Sequence, residues 1–165
     1  RKAHASNLGV TILQPSVIFG PGDSFLSRFA KLLTLVPFAM PLPCPHARFA
    51  PVSVWDVVNV IQTCLDQAST SGKTYQLCGP TVNSLKELVS YIAKLQKTKR
   101  LIIPLNNALS RVQAAVMDFV PGKPFSTDNY HSLQVHSLCE KNGFEQLSLP
   151  RTNLTNVAPT YLGSL

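Results

Sequence analysis

The chain has 165 residues, of which 45% are hydrophobic and 14% charged, and its formal net charge is +7. That composition excludes a disordered polar segment and fits a globular domain with a real core. The longest apolar runs fall far short of the roughly 20 residues that a bilayer-spanning helix needs, so no spanning helix is expected.

Residues 1 to 8 read as the tail of a helix, stopped by Asn7-Leu8-Gly9 before a strand begins at Val10. A start without methionine, on the last turn of a helix, reads as a chain cut from something longer, with no leader peptide in view. Val10 to Leu13 is short and apolar without alternation, the pattern of a strand covered on both faces in a parallel sheet. Gly20-Pro21-Gly22-Asp23 follows, and Asp23 or Ser24 can cap a helix whose apolar positions Phe25, Leu26, Phe29, Leu32 and Leu33 recur at helical spacing. A Pro-Gly turn into a capped helix accounts for these glycines better than a phosphate cradle, because no lysine or longer glycine pattern accompanies them. A proline-dense loop from Pro37 to Pro45 ends that helix.

Phe49 to Val54 is a short extended piece interrupted by Pro51. Asp56 is expected to cap the next helix, with Val57, Val58, Val60, Ile61, Cys64 and Leu65 along one side. Thr74 to Cys78 is a strand ended by Gly79-Pro80, and Ser84 to Glu87 forms a capping box that opens a helix over 85–97. The basic run Lys94 to Arg100 sits at that helix's C-terminus, where cations suit the macrodipole. Leu101 to Ile103 is a strand. Asn107 to Val120 reads as a helix with Leu109, Val112, Ala115, Val116 and Phe119 facing inward, ended by Pro121 to Pro124. A short helix near Thr127 to His136 and a final segment from Leu154 to Leu162 complete the chain. Alternating strands and helices indicate an α/β protein.

Four cysteines, Cys44, Cys64, Cys78 and Cys139, form no C-x-x-C pair and stand at no zinc spacing, and they read as unpaired thiols. No metal site is expected, and His4, His46, His131 and His136 read as surface or loop residues. The positive charge suits a nucleic acid, an acidic membrane surface or an anionic cofactor. No aromatic residues interleave with the basic run, so a nucleic-acid partner is not expected. The glycine loops of dinucleotide and nucleotide binding, and the zinc-protease and hydrolase motifs, are absent from the 165 residues.

Three stretches, TILQPSVIFGPGDSF, ARFAPVSVWDVVNVI and GKTYQLCGPTVNSLKELVSYIAK, resemble successive signatures of the extended short-chain dehydrogenase/reductase superfamily, the NAD(P)-dependent epimerase/dehydratase group. The later RVQAAVMDFVPGKPFSTDNYHSLQV resembles an atypical branch, the bacterial proteins similar to the NADPH-binding accessory subunit of respiratory complex I. The resemblance implies the C-terminal part of a doubly wound Rossmann protein: residues 1–80 as Rossmann remnant with a substrate-side insertion at about 21–47, and residues 81–165 as a substrate-side subdomain. It implies NAD(P) as cofactor and places Pro15, Ser16 and Val17 against the nicotinamide carboxamide. Arg48 matches an arginine that approaches the substrate phosphate in sugar-nucleotide members.

No catalytic residue is assigned within the chain, since the family's Tyr/Lys pair is expected upstream of Arg1. Gln14 stands where the family usually has arginine, and Trp55 where an acidic residue is common. The resemblance implies an oxidoreductase-like protein acting on a small molecule, whose identity stays open. The competing reading is a non-catalytic NAD(P)H-binding accessory or assembly factor of a membrane respiratory complex. The implied location is cytoplasmic, or peripheral to the inner membrane.

Overall fold

The computed structural model describes residues 9–119 and 125–163. The expected helix tail at residues 1 to 8 and the helix-ending Pro121 to Pro124 lie outside the described residues. The described residues alternate strands and helices, and three of the four strand pairs among them are parallel. It is an α/β structure, as the alternation predicts.

β1 (Ile12–Pro15) pairs in parallel with β6 (Thr74–Leu77), in a register that sets Ile12 opposite Thr74 and Pro15 opposite Leu77. β2 (Ile18–Phe19) runs parallel to β5 (Val52–Ser53), and β3 (Ala39–Leu42) parallel to β8 (Leu101–Pro104). β4 (Arg48–Phe49) is antiparallel to β7 (Asn83–Ser84). Parallel neighbours need long crossovers, which explains why each parallel pair joins residues far apart in sequence. β1 starts two residues later than the apolar run suggests. It is also less covered: Ile12 and Leu13 are half-buried, Gln14 and Pro15 are exposed, and β6 is its one ladder partner among the described residues. The extended stretch at Phe49 to Val54 divides into β4 and β5 around Ala50-Pro51. Here Gly79 is obligatory, since a Cβ at that position would lie 1.7 Å from the Pro51 carbonyl oxygen.

The helices are α1 (Leu26–Leu35), α2 (Val54–Asp66), α3 (Leu85–Leu95) and α4 (Asn107–Met117), followed by α5 (Thr127–Leu133) and three single turns, α6 (Gly143–Gln146), α7 (Leu154–Val157) and α8 (Pro159–Leu162). α3 is opened by the expected capping box: the Glu87 amide donates to Ser84 Oγ, and the Ser84 amide donates to the Glu87 carboxylate. Those hydrogen bonds, from the Ser84 amide first and its hydroxyl second, hold the Glu87 carboxyl below the usual range.

Asp56 is not the cap of α2. The helix starts three residues earlier than that cap would place it, with Ser53 at the N-cap position, and the buried Asp56 carboxylate accepts hydrogen bonds from the Thr152 amide (2.6 Å) and hydroxyl (2.8 Å). It tethers the C-terminal segment to the first turn of α2, a role that proximity in sequence could not suggest.

Two hydrophobic clusters organise the packing. The larger is built from residues between Phe19 and Phe49 together with residues between Leu85 and Leu162, with Leu26, Ala30 and Leu33 of α1 meeting Leu88, Val89 and Ile92 of α3. The smaller gathers Val52, Val57, Val60, Tyr75, Leu77 and Phe144. Phe144 reaches it because Gly143 lets α6 lie directly on β6, where a Cβ would stand 2.8 Å from Tyr75 Cβ.

Three expectations about side chains are overturned. On α2 only Val57 and Val60 of the apolar set are buried, while Val58, Ile61 and Leu65 are exposed. On α4 the buried positions are Ser110 and Ala114; Leu109 (52%), Val112 (60%), Val116 (59%) and Phe119 (90%) are exposed, as is Ala115. The apolar stripe exists, but the helix is rotated so that it points outward. The cysteines are not all free thiols either: Cys78, at the end of β6, forms a disulfide with Cys139, and Cys44 and Cys64 remain unpaired. Sixty-one residues separate the two bonded cysteines, so no sequence spacing announces the pair.

Candidate functional site

Pro15, Ser16 and Val17 lie where β1 ends. The Ser16 amide donates to the Leu77 carbonyl at 2.9 Å, so the ladder with β6 runs one residue past the strand. Val17 then turns its carbonyl to the Val52 amide, also at 2.9 Å, which hands the chain from the β1–β6 pair to the β2–β5 pair. Between these two ladders Pro15 is exposed and has no amide to donate. The Val17 amide has no hydrogen-bond partner among the described residues. A proline followed by an unpaired amide, at the C-terminal end of a parallel strand, leaves a backbone edge open where open α/β sheets take their ligands.

Arg48 lies beside this edge, although 31 positions separate it from Val17 in the sequence. The link is Ser137, which no motif singles out. Its carbonyl accepts from Ser16 Oγ (2.8 Å) and from the Ala50 amide (3.2 Å), and its amide donates to the Arg48 carbonyl (2.9 Å). The Arg48 amide donates to Nδ1 of His136, giving that exposed loop histidine a positioning contact. Segment 136–139 is therefore stitched between the end of β1 and β4, and Cys139 fastens it to Cys78. Asn142 completes the seam by accepting from the Cys78 amide and donating to the Cys78 carbonyl. The Arg48 side chain is left exposed, with Glu87 near enough to act on it electrostatically. A guanidinium held by its backbone but free at its fork can grip a phosphate or carboxylate.

The Gly20 to Asp23 turn is otherwise committed. The Asp23 amide donates to the Gly20 carbonyl (2.9 Å), the Gly20 amide donates to the Tyr161 hydroxyl (3.2 Å), and that hydroxyl donates to Asp23 Oδ2 (2.6 Å). Asp23 Oδ1 accepts from the Ser27 amide in the first turn of α1, so the aspartate serves that helix start. Burial, followed by the hydrogen bond and charge of Asp23, pushes the Tyr161 phenol far above its ordinary range. Amides spent on this network are not available to cradle an anion. No cluster of three metal-ligating side chains occurs among the described residues.

No family model matches the chain. Over 151 residues it is 27% identical to the mitochondrial NADH dehydrogenase [ubiquinone] 1 alpha subcomplex subunit 9 of Arabidopsis thaliana, covering 84% of this chain and 38% of that protein. It is 29% identical over 94 residues to the UDP-glucose 4-epimerase of Vibrio cholerae, covering 55% of this chain and 28% of the epimerase. Among solved structures, a nucleoside-diphosphate-sugar epimerase from Staphylococcus aureus superposes with a TM-score of 0.60 at 19% identity, over 92% of this chain and 53% of that one. The chain thus spans well under half the length of these two curated relatives.

Proposed function

We propose, from its likeness to proteins of the extended short-chain dehydrogenase/reductase superfamily, that the chain supplies the nicotinamide-side wall and the substrate-side subdomain of an NAD(P)-binding protein of epimerase/dehydratase type. The unpaired Val17 amide behind Pro15 carries this reading: a nicotinamide carboxamide offers the acceptor that amide lacks. Ser16 holds the edge in place through Ser137, and in this reading the Arg48 guanidinium would meet the phosphate of a substrate. In this reading residues 1–80 are Rossmann remnant, with an insertion at about 21–47, and residues 81–165 are substrate-side. The larger cluster joins the insertion to residues of the second part, which supports a substrate-side place for the insertion, while the buried residues of the smaller cluster come from the first part with Phe144 alone added from the second. The open edge of β1 and the bare outer face of α2 support the partition as well, because a parallel sheet is ordinarily covered on both faces.

The glycine loop and the Tyr/Lys pair would come from chain beyond these 165 residues. The pair would supply the acid/base, with the tyrosine's pKa lowered by the lysine. Calorimetric titration with NADP should therefore show no binding to the 165 residues alone. In the whole protein that contains them, the cofactor should slow exchange of the Val17 amide at least tenfold. A Val17 amide that exchanges unchanged under saturating cofactor refutes the site, and affinity of the isolated 165 residues equal to a complete Rossmann domain refutes the partition.

One observation favours a second reading, a non-catalytic NAD(P)H-binding accessory or assembly factor of respiratory complex I or another membrane complex. The apolar stripe of α4 faces outward on a chain of net charge +7, and one relative is named as a subunit of an NADH dehydrogenase. No helix among the described residues is long and apolar enough to cross a membrane, and in this reading the apolar stripe of α4 makes a peripheral contact. Co-purification with a membrane complex, without turnover of any sugar nucleotide, distinguishes this reading from the first.

A further inference from the structure

A cavity of about 320 Å3 lies between α1 and β3 on one side and α4 and α5 on the other. It shares no lining residue with Pro15, Ser16, Val17 or Arg48, so what it binds is a question separate from the dinucleotide. Its walls are apolar: Phe25, Phe29 and Leu32 of the α1 side, Met40 of β3, Met117 of α4 and Leu133 of α5. Phe25 and Phe29 meet edge to face at 5.3 Å, which fixes one wall, while the two methionines can adjust to an occupant's shape.

Five polar residues interrupt this lining, Ser24, Arg28, Gln113, Asn129 and Ser132, and two of them stand without partners. Arg28, exposed on α1, forms no ion pair or hydrogen bond among the described residues. Gln113, on the inner side of α4, has its side-chain oxygen buried without a partner. A buried amide oxygen with no donor is costly, and a free guanidinium at the rim of an apolar cleft attracts an anion. The volume falls in the range of small-molecule sites, which pair an apolar lining with a few placed polar groups.

We propose that this cavity binds an anionic amphiphile: an aliphatic chain of medium length between α1 and the α4–α5 pair, its carboxylate on Arg28 and a hydroxyl donating to Gln113 Oε1 once that side chain turns from its buried position toward the cavity. A sugar nucleotide suits the same walls poorly, because Ser24, Gln113, Asn129 and Ser132 are too few to partner its many hydroxyls, and the rest would be buried against phenyl and thioether groups. The occupant also adds to the hold on α4, which buries only Ser110 and Ala114 and is otherwise tied down by the Cys44 amide donating to Ser110 Oγ and by Thr127 of α5 donating to the Asp118 carboxylate. Contacts to Gln113 and Met117 would tie it down.

The test is calorimetry on the intact protein with decanoate, 3-hydroxydecanoate and decyltrimethylammonium, each below its micellar concentration, together with hydrogen exchange of the α4 amides. The expected result is one site per chain, with 3-hydroxydecanoate tightest, decanoate at least tenfold tighter than the cationic chain, and slowed exchange in α4. Arg28→Leu, at an exposed position, should erase the preference for the anion without changing the fold, and Leu32→Trp should block the cavity. Should Leu32→Trp fail to fold, the Arg28→Leu comparison still decides. Equal binding of cation and anion, an Arg28→Leu variant indistinguishable from the parent, or no saturable binding overturns the proposal; equal affinity for the two acids overturns the role of Gln113. Dinucleotide binding, read in the same protein, is indifferent to each of these outcomes.

Discussion

α3 and α4 are both eleven residues long, and both present apolar residues at three- and four-residue intervals after a side-chain cap. α3 buries Leu85, Leu88, Val89, Ile92 and Ala93 against α1, β8 and α8. α4 buries a serine and an alanine and leaves Leu109, Val112, Val116 and Phe119 in the open. An apolar stripe therefore records that a helix has an apolar face, but not that this face is covered by the chain it belongs to. α3 has neighbours on its stripe. α4 rests on α5 and on the strand end at Cys44 by its narrow polar side, with a cavity beneath it.

Substitutions that should hurt one helix and spare the other sharpen this contrast. Ile92→Ala removes a side chain only 1% exposed at the centre of the larger cluster. It should cost about 2–5 kcal/mol in a urea unfolding curve, by lost transfer energy and the cavity left behind. Ser84→Ala deletes the hydroxyl of the capping box and should cost about 1 kcal/mol near neutral pH.

That second cost carries a pH signature. The Glu87 carboxyl is held below its unfolded value, so its contribution is present above about pH 4.3 and is lost as pH falls through the folded value. The gap between Ser84→Ala and the parent should narrow on the acid side, and a gap that widens there would contradict the role given to the pair. At the small end, Val112→Ser on the outer face of α4 should shift stability by no more than about 0.5 kcal/mol. A loss comparable to that of Ile92→Ala would mean that the stripe is covered in solution, and the contrast between the helices would collapse.

Much of the local architecture was legible. The capping box, the strand at Thr74, the break at Pro51 and the turn at Gly20 each depend on short-range chemistry: a serine three residues before a glutamate, a proline without an amide, a glycine in a turn. The resemblance of three ordered stretches directed attention to Pro15, Ser16 and Val17, and the open amide at Val17 is what the structure adds to it. Ser137, which clasps Ser16 and Arg48 together, was not legible, because the hydrogen bond it makes spans 121 positions and its neighbours form no motif. Cys139 nearby was the one usable signal, and it carried no spacing that could name Cys78 as its partner.

The sequence by itself thus determined the order of most helices and strands, and that the chain is α/β, because caps, turns and periodicity act within a few residues, but not the strand Ala39–Leu42 within the proline-dense stretch or the early start of α2. Only the tertiary structure decided which face of α4 and α2 is buried, that Asp56 holds Thr152 rather than capping its own helix, and which two cysteines meet. Those outcomes depend on what packs against each element, and residues tens of positions apart become neighbours only when the clusters close.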